Sequence, residues 1–517
     1  MREWTIYRRR EKLDKMTGGL GLGDVYSTTI ERILAQDRDK ARLAMAVIMW
    51  ISHAERPLKA NELCHALAVE LDSEDFNAGN VPSISTLVGY SQGLITVDRK
   101  TSAVRLIHPT VKEYISARSD IFNRAHAAMA ETCLTYLNSK QVKALSADPP
   151  AVTHDKPFLG YCSVYWGVHA KRELSNRARS LALELFQQYD DHTSRKLLLE
   201  QVELPDRWDL GSDYGSDYGD DFNCDFAHSF TFSGLHCASF FGIVEVVSAL
   251  IEMESYDINE EDFRGCTALA WAACNGHDEV VKMLLERREV YPDQSDLFGL
   301  TPLAYAAWKG HEEVVKMLLE HGEVCSDEQD LSGKTPLSYA AENGHEGVVK
   351  VLLAREEVNP DKPDKYSRTP LSYAAGDGHE EIVKILLERV EIDPDEPSMY
   401  GQTPLSFAAW RGHQRVVKIL LGREEVNPEN PDDWDRIPLY YAASEGHEEV
   451  VKILLGEDEV NPDEANDGRA PLSYAAQGRY EEVMKRMLKR GERSTLLSQT
   501  TAVKHHSCPH LSSTLRR

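Results

Sequence analysis

The stretch KTPLSYAAENGHEGVVKVLLAREEVNPDKP, residues 334–363, contains the pattern that decides the fold of this chain. Thr335 and Pro336 are typical of a helix start, because the threonine hydroxyl accepts a free backbone N–H and proline needs no hydrogen-bond partner at the first helical position. Gly344 suits the end of that short helix, since glycine readily adopts the left-handed conformation. A second helix is predicted from His345, with apolar residues at helical spacing, before a finger rich in turn residues.

The same unit returns every 34 residues through the second half of the chain. Each copy opens with Thr-Pro-Leu or a relative of it, beginning at Ser233, Thr267, Thr301, Thr335, Thr369, Thr403, Ile437 and Ala470, the last one residue early. A fixed period of this length indicates stacked supersecondary units. No single unit can bury its own apolar stripe, so stacking is compulsory.

This pattern resembles the ankyrin repeat over residues 230–492, about half of the chain. The resemblance implies an α-solenoid of about eight repeats that binds other proteins. The family usually has histidine directly after Thr-Pro-Leu, whereas this chain has Ser338 in the unit quoted above and keeps histidine only at His236, in the first repeat. We therefore expect the hydrogen bonds between adjacent turns to differ from the family pattern.

By resemblance, the partners of ankyrin proteins contact the concave face that the finger tips and first helices form. Candidate partner-binding residues in matching positions are Phe298, Tyr400 and Trp434 on fingers and Trp308, Lys309, Trp410 and Arg411 late in first helices. Tryptophan and arginine are enriched in binding hot spots. Local packing between fingers and helices is the alternative interpretation of these residues.

Two other periodic columns have a structural interpretation. Aromatic residues recur among the alanines, which predicts packing between repeats, at Trp271, Tyr305, Tyr339, Tyr373, Phe407, Tyr441 and Tyr474. Histidines recur at the start of the second helices, at His277, His311, His345, His379, His413 and His447. A metal array is the alternative, but one histidine per unit favours a hydrogen bond to local backbone. The tail residues His505, His506, Cys508 and His510 lack preorganised geometry, and we expect no metal site there.

Acidic side chains are concentrated in the repeats. Residues 230–492 carry 52 Asp and Glu against 26 Lys and Arg, a net charge of −26, and the rest of the chain sums to zero. Such a surface repels phosphate backbones, which argues against a nucleic-acid ligand. It is either simply solvated or complementary to a basic protein partner, in which case it raises the association rate more than the affinity.

Residues 24–118 are predicted to form a winged-helix-like unit with one hairpin. Helices are expected over 24–36, 39–53, 59–69, 82–92 and 108–118, with hairpin strands over 94–97 and 104–107. A DNA-binding version would carry basic residues on its recognition helix, but residues 81–93 contain no Lys or Arg. The sequence therefore argues against DNA binding by this unit.

Two motifs of this unit, MWISHAERPL at 49–58 and VRLIHPTVKEYI at 104–115, resemble the winged-helix segment that follows the NACHT ATPase in fungal NLR-like proteins. The resemblance covers about residues 20–185 and implies a signal-transducing assembly with a C-terminal ankyrin array. A histidine after the wing hairpin senses nucleotide in that group, and His108 has the matching position; alternatively, His108 only starts a helix. No Gly-x4-Gly-Lys-Ser/Thr motif occurs, so we expect the ATPase module to be missing.

We therefore expect an all-α, non-enzymatic interaction scaffold with no catalytic residues, cofactor or metal. The alternative is a regulatory fragment of a NACHT-type NTPase that acts with an ATPase module in trans. The predicted order is a flexible N-terminus over 1–23, the winged-helix-like domain over 24–118, a helical extension over 119–204, an acidic linker over 205–229, the repeats over 230–492 and a disordered tail over 493–517.

The helical extension has two faces that are expected to be core, one including His126 and the other, aromatic, including His169. Nine cysteines without paired spacing favour a reducing compartment. We find neither a signal-peptide pattern at the N-terminus nor an apolar run of about 18 residues that would span a membrane. These features predict a cytoplasmic or nuclear protein without membrane contact.

Overall fold

The computed structural model describes residues 22–73, 75–118, 120–145, 156–189, 191–201, 231–253, 256–456, 471–478 and 480–488. The predicted linker and the predicted tail lie outside these residues. The chain is mainly helical with one two-stranded antiparallel sheet, which confirms the predicted fold class, and it divides into two compact units, Met1–Phe263 and Arg264–Arg517. No helix in the described ranges is both long enough and apolar enough to cross a membrane.

The first unit begins with the helices and the hairpin predicted for a winged helix. These elements are α1 Leu22–Leu34, α2 Arg38–His53, α3 Ala60–Leu67, α4 Ile84–Tyr90, β1 Ile95–Val97, β2 Val104–Leu106 and α5 Pro109–Ser116. Their shared core consists of Tyr26, Ile30, Ile33, Ala44, Ile48, Leu94, Val111 and Ile115. The Nδ1 of His108 accepts the Thr110 N–H at 3.3 Å and so caps α5, as expected for a residue that starts a helix.

The helical extension packs directly against the first repeat. The extension comprises α6 Ala125–Asn138, α7 Lys140–Lys143, α8 Leu159–Arg172, α9 Asn176–Phe186 and α10 Thr193–Leu199, and the first repeat comprises α11 Gly234–Phe241 and α12 Val244–Ile251. The Phe241 ring lies 5.3 Å from the ring of Trp166 and fills the space above Gly167, where a Cβ would collide with it. Both sides of this contact belong to the first unit, so the first repeat is covered by the extension.

The second unit is a stack of helical hairpins. Its helices are α13 Ala268–Cys274, α14 Asp278–Leu285, α15 Pro302–Lys309, α16 Glu312–Glu320, α17 Pro336–Glu342, α18 Glu346–Leu353, α19 Pro370–Asp377, α20 Glu380–Leu387, α21 Pro404–Arg411, α22 Gln414–Leu421, α23 Pro438–Glu445, α24 Glu448–Leu454 and α25 Pro471–Gln477. Residues 481–488 are also helical. Successive first helices pack on one another and successive second helices do the same, so the apolar stripe of each repeat is buried by its neighbours.

The local signals of the type repeat act as predicted. The Thr335 hydroxyl accepts the Ser338 N–H at 3.1 Å, which caps α17. Gly344 ends the turn with a φ of +79°. The serine hydroxyl of Ser338 contacts Thr335 of the same repeat at 3.1 Å, whereas His236 in the first repeat reaches the Glu260 carbonyl at 2.9 Å, 24 residues further along. Within this chain, the repeat with serine and the repeat with histidine therefore form different hydrogen bonds at this position.

The periodic histidines join one repeat to the preceding one. The Nε2–H of His345 donates to the Trp308 carbonyl at 2.9 Å, and the Nε2–H of His379 donates to the Glu342 carbonyl at 2.8 Å, both 37 residues back. The prediction of a bond to local backbone is therefore wrong. The imidazole extends over the left-handed glycine that follows the first helix of the preceding repeat, and it reaches a carbonyl at the end of that helix.

The periodic tyrosines are paired with buried aspartates that lie nine residues earlier. The Tyr305 hydroxyl donates to Asp296 at 2.7 Å, and the same pairing recurs at Asp330–Tyr339, Asp364–Tyr373 and Asp432–Tyr441. One repeat has Ser398 in place of the aspartate, and its aromatic residue is Phe407, which has no hydroxyl to donate. A buried aspartate at position 398 would lack the tyrosine hydroxyl that the four pairs above supply.

We predict that Gly167→Ala destabilises the first unit by about 1–3 kcal/mol, because the added methyl group collides with the Phe241 ring in a packed core. Hydrogen exchange in the full chain should become faster in α11 and α12. Gly160→Ala in the same helix is the matched control, since a Cβ there meets nothing within 4 Å. Equal exchange in the two variants would show that α11 does not pack on α8.

We also predict that Tyr305→Phe destabilises its finger by about 1–3 kcal/mol, because the buried Asp296 carboxylate loses its hydroxyl donor. The double variant Asp296→Ser/Tyr305→Phe reproduces the natural Ser398 and Phe407 pair and should recover most of that loss. Hydrogen exchange of the Phe298 and Leu300 amides, which donate to Asp296, measures both effects. A double variant less stable than the single one would refute the coupling.

Candidate interaction surface

A backbone ladder links the fingers of the second unit. The Leu331 N–H donates to the Phe298 carbonyl at 2.8 Å, and the Met399 N–H donates to the Tyr366 carbonyl at 2.7 Å. Within a finger, Asp296 accepts the N–H groups of Phe298 and Leu300 at 2.9 and 2.8 Å. A tip such as 297–298 is therefore fixed both to the carboxylate of its own finger and to the neighbouring finger, which holds the side chains at the tips in a regular row.

This finger-tip row consists of residues 297–298, 331–332, 365–366, 399–400 and 433–434. Several of its large apolar side chains are exposed: Leu297 55%, Phe298 37%, Leu331 63%, Met399 50% and Trp434 43%. An exposed apolar row on a rigid frame is typical of an interaction site. Sequence reasoning selected Phe298, Tyr400 and Trp434 but missed Leu297, Leu331 and Met399, although these three share the 34-residue period and each follows the buried Asp or Ser of its finger.

Two of the predicted residues meet at one end of the row. The rings of Tyr400 and Trp434 stack with centroids 5.6 Å apart and planes at 29°. The guanidinium of Arg436 lies 4.3 Å from the centre of the Trp434 ring and is held by Asp432 at 2.7 Å. Part of each ring is thus used in packing between fingers, while Trp434 keeps an exposed edge beside a cation.

The two tryptophans late in first helices lie in similar positions but have different neighbours. Trp308 is half-buried, and the exposed Lys309 places its ammonium 3.6 Å from the centre of the Trp308 ring. Trp410 is also half-buried, with its ring 6.2 Å from that of Tyr441, and Arg411 binds Asp377 of the preceding repeat at 3.0 Å. Lys309 therefore makes a cation–π contact with the neighbouring Trp308, whereas Arg411 forms an ion pair between repeats.

A column of partly buried carboxylates runs through the start of the fingers, at Asp293, Asp327, Asp361 and Asp395. In each, one carboxylate oxygen is buried without a hydrogen-bond partner. Asp361 uses its other oxygen to accept the Asp393 N–H of the next finger at 3.1 Å. Burial is the main cause that raises the pKa of all four, and neighbouring acidic side chains add to the effect, while Lys362 pairs with Asp327 at 3.1 Å and opposes it there.

This geometry defines a solenoid repeat protein, in which helical hairpins stack through histidine and backbone ladders and present a row of finger tips. A family model described as ankyrin repeats (3 copies) matches residues 214–296, 288–364, 356–432 and 423–496, which is more than half of the chain. The chain belongs to the ankyrin-repeat family. Since ankyrin repeats are typically non-enzymatic interaction modules, the repeats support a role in protein–protein interaction.

A second family model, described as the winged helix domain of GPI inositol-deacylase, matches residues 30–126. This match supports the predicted winged helix and assigns no activity to it. The crystal structure of the human ASB11 ankyrin repeat domain is similar to this chain at 26% identity, covering 43% of this chain and 98% of that chain, with a TM-score of 0.40. A search of curated proteins gives no match.

Proposed function

We propose that the chain is a non-enzymatic scaffold that captures a protein partner on the finger-tip row and on the ends of the adjacent first helices. The observation that carries the proposal is the row of exposed apolar side chains from Leu297 to Trp434 on a ladder of backbone hydrogen bonds. Because this frame is rigid before binding, little conformational entropy is lost when a partner docks, which favours affinity.

The partner we propose is a basic protein surface with apolar side chains. The net charge of the repeats, −26, equals that of the whole chain. Charge complementarity of this kind accelerates encounter, while the apolar and aromatic tips supply the contacts that slow dissociation. Phe298, Trp308, Lys309, Tyr400, Trp410, Arg411 and Trp434 remain the proposed contact residues, and we add Leu297, Leu331 and Met399.

We further propose that the scaffold works in an NLR-like sensing or signalling assembly. The proposal rests on the presence of a winged-helix segment and an ankyrin array in one chain. In the described ranges, six buried cysteines and the exposed Cys325 form no disulfide, which supports a reducing compartment such as the cytoplasm or nucleus.

For the interaction surface, we predict that Trp308→Ala and Trp410→Ala each weaken binding of the captured partner by about 2 kcal/mol or more, roughly 30-fold, while helicity is unchanged. Leu331→Glu should weaken it as well, because it removes one of the exposed apolar tips that we propose to contact the apolar side chains of the partner. The partner is first captured with the full chain and identified, and its association and dissociation rates are then measured for every variant across a salt series. Raising salt should slow association much more than it speeds dissociation.

Val390→Glu is the matched control, because Val390 is 95% exposed and apolar but follows the second helix α20, away from the finger tips. It should leave affinity close to that of the unmodified chain. If both tryptophan variants and Leu331→Glu bind the partner like the control, the interaction surface lies elsewhere and the proposal is wrong.

We predict that the purified chain binds neither ATP nor GTP, because its sequence has no Gly-x4-Gly-Lys-Ser/Thr motif to hold phosphate. Isothermal calorimetry with each nucleotide and Mg²⁺ measures this directly. Micromolar binding would favour the alternative, a regulatory fragment of a NACHT-type NTPase, and His108→Ala would then test whether the histidine after the wing hairpin contacts the nucleotide.

A further inference from the structure

Two histidines and a glutamate from distant parts of the sequence converge in the first unit. Glu55 follows α2 of the winged helix, His126 is in the first turn of α6, and His169 is in the last turn of α8. The Nδ1 atoms of His126 and His169 are 2.9 Å apart, and His169 Nδ1 lies 4.0 Å from a Glu55 carboxylate oxygen. Among the described residues, this is the one group of three metal-ligating side chains whose ligand atoms all lie within 4.8 Å of one another.

The two imidazoles face each other through their Nδ1 atoms. Two neutral rings can share only one proton between facing Nδ1 atoms, and a cation bound by both nitrogens would replace that single hydrogen bond.

The surrounding side chains have the arrangement that orients metal ligands in known sites. His169 Nε2 lies 2.9 Å from the hydroxyl oxygen of Tyr161, which can accept the Nε2–H when Nδ1 holds a metal. Tyr161 is fully buried, and its hydroxyl also accepts the Glu55 N–H at 3.3 Å. One phenol therefore fixes both the histidine ring and the start of the segment that carries the carboxylate.

One neighbouring group opposes a cation. Arg172 makes a bidentate ion pair with Glu55, so the carboxylate must give one oxygen to the metal and keep the other for the guanidinium. Glu173 accepts the Ala127 N–H at 3.3 Å, next to His126, but its carboxylate is also paired with Arg124 at 3.6 Å, so it offsets little of this positive charge. The Glu55 side chain is 20% exposed, which leaves a route for an ion and for a water ligand.

We propose that Glu55, His126 and His169 bind one divalent transition-metal ion, with Zn²⁺ the expected occupant, and that a water completes the tetrahedron. Two imidazoles and one carboxylate are a ligand set that suits zinc, with bonds of about 2.0–2.2 Å. The two nitrogens must move slightly apart and the carboxylate must approach for this geometry. The ion would join the end of α2 to α6 and α8 and thereby clamp the winged helix to the helical extension.

The test uses the full chain with the tail histidines and cysteine replaced, His505→Ala/His506→Ala/Cys508→Ser/His510→Ala, so that zinc binding by these side chains does not enter the measurement. After treatment with a chelator, Zn²⁺ binding is measured by competition with a chromophoric chelator. We expect one ion per chain and higher thermal stability with the ion bound. With Co²⁺, the visible bands of a tetrahedral site should occur without the charge-transfer band of a thiolate ligand.

In the same background, His126→Asn should lower zinc affinity by about 100-fold or more, since loss of outer-shell partners alone costs about 10–100-fold. Glu55→Gln changes a partly exposed position and serves as the second variant if His126→Asn does not fold. We expect it to lower zinc affinity by at least about 10-fold. His65→Gln is the matched control, a half-buried, ring-stacked histidine outside the cluster, and should bind zinc normally. Absence of binding by the folded tail variant, or equal affinity in Glu55→Gln and His65→Gln, would overturn the proposal.

Discussion

The hydrogen bond from a periodic histidine to the repeat before it, made by His311, His345, His379 and His447, is the interaction on which the stack of the second unit depends. The imidazole lies over a glycine whose φ is near +79°, so this glycine is required twice, once for its left-handed backbone and once because a Cβ would collide with the ring. The bond satisfies a carbonyl at the end of a helix that has no partner within its own repeat. One side chain per repeat thus ends a helix, fixes a turn and sets the spacing of neighbours.

The ends of the array follow from the same constraint, because an end repeat lacks one neighbour. In the last described repeat, Tyr480 replaces the histidine, and its ring covers Gly446 as the imidazoles cover the other glycines. In the first repeat, the apolar side is covered by the helical extension, because Phe241 packs on Trp166 and Gly167. The extension therefore acts as a cap, and the first repeat is structurally part of the N-terminal unit.

Stacking leaves the finger tips as the place where sequence can vary without loss of the fold. In four fingers a buried aspartate paired with a tyrosine holds the loop together with the backbone ladder, and the side chains of the two tip residues that follow have no such requirement. Their side chains range from Leu331 and Met399 to Lys365 and Asp433. A rigid frame with variable tips is well suited to selective binding, and the acidic background adds a preference for basic partners.

The sequence by itself determined the period, the two helices and finger of each repeat, the positions of the helix ends and the hairpin of the winged helix, because these depend on local signals such as Thr335, Gly344 and the turn after Val97. It also indicated that Phe298, Tyr400 and Trp434 lie on fingers.

Tertiary structure alone decided the partners of residues that interact across repeats or helices. The histidines bind a carbonyl 37 residues away rather than nearby backbone, Arg411 pairs with Asp377, and Leu297, Leu331 and Met399 lie exposed. Likewise, His126 and His169 belong to two separate core faces in the sequence, and only the packing of α6 against α8 brings their nitrogens to 2.9 Å and places Glu55 beside them. Helical periodicity specifies which face of a helix is buried, but the contact that this face makes depends on the path of the chain between the helices.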